Sequence, residues 1–531
     1  MNIAVVVPPV EDFYFSHRRF ASLGALKGAE IVNKAGFSVD FFDFTKGPKY
    51  KIEIPKPISY LNKYIMQEEK GSCSFFTSYI HFGHDTDKCA SIIALGNYSA
   101  VFVSLFAYCY ADSAIGFAKS LKKIKPDIKI IACGAGVSVF PEYFEEYFDF
   151  VIIGEAEIFL EWYRTSVNAN NLLPGRAEAF PLFAGTSPTG TAPLLPEGKF
   201  RECHTKTGDF TPSIGIAYTD TKNIFVSLML SRGCFENCGF CSNFITHGRG
   251  FRKTEPEILK ETLRNMEAVF IEHKNKKIFI NIEDDNILCD KPAFFRQLEI
   301  TKEFFAKIGV AGNKIFFSAE NGLDYMLLDK DTCAILINNY NFRQFNFTLT
   351  STDKNVTHSQ ERDSDLKKLE EILFFLGEKR VPAVTYFIAG LDSDSLEKTV
   401  KSLIFLAKTP GLSGISMFYA VPGLPGFNTG RFLNNISPQL CRGSSAFPWN
   451  NTLSTKQLIT AFRISRTINF LKKEETQLQN NEQELRRKII TEKKLFTIIA
   501  DNSITEPKEI DFEMAEMFFD AFPGSTTFRI P

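Results

Sequence analysis

Two successive runs of strand–helix alternation predict an α/β protein with two sheets in tandem. Residues 1–165 read as a doubly wound parallel domain, 223–429 as a partial (β/α)6 TIM barrel, and 430–531 as a mainly helical C-terminal region. Three observations carry this. Short β-branched and aromatic runs recur between amphipathic stretches in both parts. Glycines and polar residues gather just past those runs, where parallel α/β sheets bind ligands. A stretch rich in Gly, Pro, Thr and Asn, 166–222, separates the two parts as a connector.

In the first domain 3–7 reads as a short β-branched strand, 18–35 as a helix ended by Gly36, and 39–44 as an alternating strand. A strand at 100–105 precedes a helix at 113–124. The strand at 128–132 leads into Gly134-Ala-Gly136, and that at 150–153 runs into Gly154-Glu155-Ala-Glu157. Ligands bind beyond the carboxyl ends of such strands, at the point where strand order reverses. The candidate loops are therefore Pro8-Pro9, Ser104 to Ala107, Gly134 to Gly136, and Gly154-Glu155. Glycine at such a turn lets a backbone approach a flat ligand.

In the second part a buried strand at 223–230 precedes an amphipathic helix at 253–270, entered through Thr254-Glu-Pro-Glu257. Strands follow at 278–282, 314–319, 345–349, 384–388 and 414–419, making six βα units in all. They end at Glu283-Asp284-Asp285, Glu320-Asn-Gly322, Thr350-Ser351-Thr352, Ala389-Gly390 and Val421-Pro-Gly423. In the tail, Ser454-Thr-Lys-Gln457 has the spacing of a capping box opening a helix through residue 472. Residues 474–494 read as a charged helix, and 512–531, rich in Phe and Met, equally as a lid or as core.

The chain has 531 residues, 44% apolar and 23% charged, with a net charge of −1. That is an ordinary balance for a soluble globular protein. It provides no basic excess for a nucleic-acid backbone, so no nucleic acid partner is expected. No run has the pattern of a secretory signal or the length of a membrane span. Eleven cysteines without a signal predict reduced thiols and a cytoplasmic location. The 54 phenylalanines read as core packing and compositional bias.

Cys234, Cys238 and Cys241 lie in a C-x3-C-x2-C run just past the 223–230 strand. Three thiolates there can hold three irons of a four-iron cluster and leave the fourth open to a ligand. Zinc is the alternative, but it commonly takes four ligands in paired sets, and the nearest further candidate is His247. The other cysteines, Cys289 among them, are scattered and show no second cluster.

This spacing, with aromatic Phe240 before the last cysteine, resembles the radical S-adenosylmethionine (SAM) family. The first domain resembles the Rossmann-like cobalamin-binding domain that precedes many members. The matching features are the Gly-rich turn, Pro141-Glu142, and 149–157 with its Gly-Glu pair. The resemblance implies that the open iron binds SAM, whose reductive cleavage yields a 5′-deoxyadenosyl radical. It places Glu283, Asp284 and Asp285 at the SAM amino group. Ser318, Glu320, Thr350 and Ser351 fall near its ribose and carboxylate, and Gly390 and Phe418 near adenine. Ser104, Gly134, Gly136 and Glu155 fall to cobalamin. Two departures stand out. Residues 348–351 are Thr-Leu-Thr-Ser where many relatives have Gly-x-Glu-Ser. No Asp-x-His-x-x-Gly occurs, and His17, His81 and His84 are wrongly spaced for it, so no histidine ligand to cobalamin is expected. Val421-Pro-Gly-Leu-Pro425 resembles a Pro-Gly-Thr-Pro turn of the same group.

The implied activity is methylation of an unactivated carbon of a peptide or small molecule, with an electron donor such as a flavodoxin or ferredoxin. Cyclisation, rearrangement or crosslinking by the same cofactors is the alternative, and a non-enzymatic cobalamin or iron–sulfur protein a third. A tRNA methylthiotransferase lacks support, since neither its three-cysteine N-terminal domain nor its RNA-binding module is recognisable.

Overall fold

A computed structural model describes residues 2–16, 19, 21–65, 78–157, 210–428, 430, 432 and 436–475. Residues 166–209 of the connector, the charged helix beyond residue 475, the Phe- and Met-rich end, and His17 lie outside the described residues.

The first domain runs β1 (Asn2–Val7), β2 (Val10–Asp12), α1 (Leu23–Lys34), β3 (Ser38–Asp43), β4 (Lys49–Ile52), β5 (Tyr79–Phe82), α2 (Thr86–Leu95), β6 (Ala100–Ser104), α3 (Ala111–Ile124), β7 (Lys129–Cys133) and β8 (Phe150–Val151). Five of these form a parallel sheet of order β3-β1-β6-β7-β8. The order reverses between β1 and β6, which makes that gap the switch point. β1 is buried at every position after Asn2, as a parallel strand covered on both faces must be.

α1 starts at Leu23, not at residue 18. The Ala21 N–H donates to Ser227 Oγ at 2.9 Å, and Arg19 pairs with Glu320 at 3.0 Å. The entry segment is thus tied to the second sheet instead of winding. A small antiparallel sheet of order β2-β5-β4 was not expected, because strands of three and four residues leave no readable alternation.

The second part runs β9 (Ser213–Thr219), β10 (Asn223–Met229), β11 (Ser231–Arg232), β12 (Arg252–Lys253), β13 (Lys277–Ile282), β14 (Ile315–Leu323), β15 (Phe342–Thr350), β16 (Ala383–Ala389) and β17 (Leu412–Met417). Seven strands form a mostly parallel sheet of order β17-β16-β15-β14-β13-β10-β9. β10 and β13 to β17 are parallel and follow chain order, as six consecutive βα units require. β9 pairs antiparallel at the edge and falls inside the stretch read as connector. Its buried residues, Ser213, Gly215 and Ala217, are small because α1 packs on them. A Cβ on Gly215 would lie 2.6 Å from Leu26 Cδ1. That smallness hid the strand.

The helix expected over 253–270 is two, Pro256–Asn265 and Glu267–Glu272, interrupted at Met266. Phe225, Phe279 and Phe316 stack across β10, β13 and β14 at 5.0 Å each, so part of the phenylalanine excess is a sheet-face ladder.

The capping box forms: Ser454 Oγ accepts from Gln457 N at 3.3 Å, and Gln457 Oε1 accepts from Ser454 N at 2.8 Å. The helix it opens, Thr455–Glu475, covers the β17 edge. The Asn469 amide accepts from Ser413 N and donates to Ser413 O, both at 2.6 Å, which blocks further strand pairing. Buried Arg442 joins this region to the first domain, donating to Glu11 O at 2.8 Å and pairing with Asp12 at 3.5 Å. Among the described residues no helix is long and apolar enough to cross a membrane.

Candidate functional site

β11 and β12 pair antiparallel and close the base of the 233–251 loop. Gly233 has φ +83°, and a Cβ there would run into the Gly250 carbonyl oxygen, so only glycine fits the closure. Within the loop Cys234, Cys238 and Cys241 line one cavity of about 180 Å³, with Phe240 beside them. Glu236 N donates to Cys234 Sγ at 3.4 Å and Asn286 Nδ2 at 3.7 Å. Such donors suit a thiolate that holds iron.

Burial pushes the Cys238 thiol up to about 11, against the pull of the Arg362 charge, and also raises Cys241. Cys289, outside any group in the sequence, stands beside Cys234. Its hydrogen bond lowers Cys234 and leaves Cys289 the weaker acid. Among the described residues no three His, Cys, Asp or Glu side chains converge on a single metal ion. Cluster cysteines each bind a different iron, so their sulfurs need not converge. The candidate fourth zinc ligand is engaged elsewhere: His247 Nδ1 lies 3.0 Å from Glu155 Oε1 and lines a different cavity.

The three carboxylates after β13 separate. Asp285 lines the cysteine cavity, accepting from Gly233 N and Asn243 Nδ2 at 2.7 Å each. Asp284 is 3% exposed and lies under the loop, accepting from Leu230 N at 2.9 Å and from the Ser231 hydroxyl. Burial raises its carboxyl to about 7. Glu283 accepts from Ser227 Oγ at 3.0 Å and Asn281 Nδ2 at 2.7 Å, beside the Arg19–Glu320 pair.

Most other strand-end candidates are not among the residues lining this cavity. Ser318 bonds Asn281 at 3.3 Å, and Glu320 is held by Arg19. Thr350 is fully buried at φ +67°, its Oγ1 without a partner among the described residues, and Ser351 Oγ accepts from Asp353 N. The Gly390 N–H is taken by Asp394, and Phe418 packs on Phe427 at 5.9 Å. The physical reason is strand length. β14 continues through register shifts to Leu323, so Asn321, Leu323 and Asp324 reach the cavity instead of Ser318 and Glu320. Thr348 and Arg362 complete the wall; Arg362 pairs with Asp324 at 2.9 Å. A lone arginine in a loop carries no sequence signal.

A second cavity, about 260 Å³, opens at the switch point of the first sheet. Val5 and Val7 of β1, Phe102 of β6 and Ile31 of α1 give it an apolar floor. Of the residues that the resemblance gave to cobalamin, Ser104, Gly134 and Glu155 line it and Gly136 does not. Gly134, at φ +102°, and Gly136 are pressed against the neighbouring loop, where a Cβ would come within 2.5 Å of Leu105 O and of the Ala107 carbonyl carbon. These glycines let the chain approach itself. On α1, Gly24 and Gly28 line the cavity with open space beside them. His81, held by Glu11 at 3.1 Å and by His84 O at 2.9 Å, does not line it.

The second part supplies the remaining wall, including Ser213, Arg232, Thr246 and His247. Glu155 is the junction. It pairs with Arg232 at 3.2 Å, Arg252 Nη1 at 2.9 Å and His247 at 3.0 Å, while Glu157 holds Arg232 at 3.2 Å. One loop thus lines both cavities, with its cysteines on one and Thr246 and His247, beside Arg232 of β11, on the other.

No protein-family model matches the chain. Two curated proteins of Chlorobaculum tepidum are similar. The bacteriochlorophyllide d C-12(1)-methyltransferase is 23% identical over 224 residues, 41% of this chain and 45% of that one. The bacteriochlorophyllide d C-8(2)-methyltransferase is 28% identical over 178 residues, 33% of this chain and 36% of that one. The match therefore spans less than half of either relative. Among solved structures, the radical S-adenosylmethionine methyltransferase TsrM from Kitasatospora setae, with tryptophan substrate and a SAM analogue bound, is similar at a TM-score of 0.54 and 12% identity. That match covers 80% of this chain and 74% of that one. The cobalamin-dependent S-adenosylmethionine radical enzyme OxsB is similar at a TM-score of 0.52 and 14% identity, covering 98% of this chain and 75% of that one.

Proposed function

We infer that this chain, which groups with the cobalamin-binding radical SAM methyltransferases in fold and in part of its sequence, is itself a cobalamin-dependent radical SAM enzyme that methylates an unactivated carbon of a peptide or small molecule. The observation that carries this is the shared wall. The three-cysteine cavity and the cavity at the switch point are lined by one loop, which suits two cofactors that act on one substrate.

The residues fit both groups. Three cysteines with N–H donors to Cys234 suit the cluster. The apolar pocket, with glycines on α1 that leave open space beside them, suits one face of a large flat molecule laid against it. When bound, the cluster and SAM supply the electron and the hydrogen-abstracting radical, and cobalamin supplies the methyl group. The protein's part is to hold and to exclude. Asp285 offers a carboxylate to the SAM ammonium, and Arg362 offers guanidinium donors to the SAM carboxylate. Phe240 shields the cysteines, and the apolar floor of the other cavity keeps water from the methyl donor.

We read the six parallel βα units as the partial barrel of radical SAM type, and the region after residue 429 as shaping the substrate space. The electron would come from a small donor such as a flavodoxin or ferredoxin. The test is anaerobic reconstitution with iron, sulfide and cobalamin, followed by SAM and reductant. We expect 5′-deoxyadenosine and, with substrate, a mass gain of one methylene. A cluster-loaded, cobalamin-bound protein that releases no 5′-deoxyadenosine overturns the radical reading. A product of unchanged carbon count favours cyclisation or rearrangement.

A further inference from the structure

The inner face of the second sheet carries an open trough of charged and aromatic side chains outside both cavities. On β13, Ile280 and Ile282 are buried in the core. Side chains alternate along a strand, so Phe279, Asn281 and, one step past the end, Glu283 face the opposite way. Parallel register sets Phe316 of β14 beside Phe279 and Ser318 beside Asn281, which brings Glu320 level with Glu283. Arg19 of the first domain reaches over and pairs with Glu320 at 3.0 Å, and both charges act on the Glu283 carboxyl. Arg343, the second residue of β15, also feels the Glu320 charge. These groups are open to solvent: the Arg19 side chain is 41% exposed, that of Glu320 24%, and Arg343 is exposed as well.

Arg343 is the group without a match. Partial burial lowers its guanidinium pKa, yet among the described residues the guanidinium makes no ion pair and no hydrogen bond. It lies on the Phe279 ring, 4.2 Å from the centroid. A guanidinium resting on an aromatic face with its donors unused suits a carboxylate. The floor beside it is aromatic. Phe279 and Phe316 stack at 5.0 Å, and the half-buried Tyr386 ring lies across β17, where a Cβ on Gly414 would come within 2.3 Å of Tyr386 Cδ1. The charges of Arg19 and Glu320 also act on the Tyr386 hydroxyl, so the ring belongs to the same trough.

The trough is joined to both cavities. Ala21 lines the switch-point cavity and donates to Ser227 Oγ, which donates to Glu283. Asn321 lines the cysteine cavity and donates to the Glu283 carbonyl at 2.9 Å. A substrate shared by two cofactors has to sit at such a junction. The resemblance gave Glu283 and Glu320 to SAM, but neither lines the cysteine cavity.

We propose that this trough is the substrate site and that it takes an aromatic α-amino acid: Arg343 binds the carboxylate, Glu320 the ammonium, and Phe279, Phe316 and Tyr386 the ring. The proposal rests on the radical SAM reading only in calling the bound molecule the substrate.

The experiment is a calorimetric titration of the reconstituted full-length protein with three probes: L-phenylalanine, phenylalanine amide, which has no carboxylate, and hydrocinnamate, which has no ammonium. Wild type, Arg343→Gln and Glu320→Gln are compared, each checked for a cooperative thermal melt. Loss of a charged hydrogen bond predicts that wild type binds each reduced probe about tenfold more weakly than phenylalanine, or weaker still. Arg343→Gln should weaken phenylalanine and hydrocinnamate and leave the amide unchanged. Glu320→Gln should weaken phenylalanine and the amide and spare hydrocinnamate. A wild type that does not bind phenylalanine at millimolar concentration overturns the proposal, as do variants that weaken all three probes alike or none. Hydrocinnamate binding as tightly as phenylalanine overturns the amino-acid assignment in favour of a plain carboxylate. If Glu320→Gln does not fold, the exposed Arg343→Gln decides alone. Assay of 5′-deoxyadenosine on the same preparation keeps the two readings apart. Its formation without phenylalanine binding upholds the radical reading and overturns this site; binding with the expected charge pattern and no 5′-deoxyadenosine upholds the site and overturns the radical reading.

Discussion

Glu155, four residues past the last strand of the first sheet, meets Arg232, two residues before Cys234 in the second, at 3.2 Å with both side chains buried. Arg252 and His247 share the same carboxylate. A buried ion pair gains little over apolar packing, but removing one partner strands the others and costs about 3–5 kcal/mol. The pair therefore sets how the two cavities stand to each other.

Glu155→Gln should lower stability at neutral pH by an amount of that order. Burial alone would raise the Glu155 carboxyl. The hydrogen bonds from His247 and Arg252 and the charge of Arg232 outweigh it and hold the carboxyl well below the usual carboxylate range. A folded pKa below the unfolded one, about 4.3, gives stability that is full above that pH and is lost as pH falls toward the folded pKa. Urea melts should show wild type losing more stability than Glu155→Gln between about pH 5 and pH 3. Parallel losses would count against the pairing.

Asp284 has the opposite sign. Its carboxyl, raised to about 7 by burial, binds its proton in the folded state while the unfolded chain, at about 3.9, has released it. Stability should therefore fall as pH rises from about 4 to 7 and level off above. Asp284→Asn keeps the shape and cannot ionise, so its stability should be flatter over that window. Melts of both proteins without iron would measure the difference, and identical slopes would remove Asp284 as the source.

Asp285, one residue on, should behave as a ligand contact. Asp285→Asn leaves an oxygen for Gly233 N but removes the charge opposite an ammonium. We expect SAM to bind at least about tenfold more weakly, consistent with loss of a charged hydrogen bond. Asp284→Asn should change SAM affinity little. Calorimetry on cluster-loaded protein separates them, and equal losses would return Asp284 to the site.

The four thiols near the cavity should divide three to one. Replacing Cys234, Cys238 and Cys241 together by alanine should abolish iron uptake, from about four irons per chain. Cys289→Ala should retain it, because Cys289 touches Cys234 without lining the cavity. Iron and sulfide assays after reconstitution give the answer. Loss of iron in Cys289→Ala would make it a ligand and close the open iron.

Much of the fold was legible because it rests on local pattern. The apolar runs of β1, β6, β10, β13 and β16 are strands in their expected places, and the Ser454–Gln457 box caps the helix it announces. β9 was missed because its inward face is Ser213, Gly215 and Ala217, sized to admit α1, and no single-strand pattern records what lies across an interface.

The candidate site was legible where covalent spacing carries the chemistry. C-x3-C-x2-C holds its three sulfurs on one short loop whatever surrounds it, so Cys234, Cys238 and Cys241 could be named from the chain alone. Which of Glu283, Asp284 and Asp285 faces the cavity, whether β14 stops at Ala319 or runs on to Leu323, and that Glu155 binds Arg232 rather than open space were decided only in three dimensions. Adjacent carboxylates differ by rotation and burial, a strand end by its partner's register, and an ion pair by residues far apart in the chain. Those are tertiary quantities, set when the two sheets pack against one another.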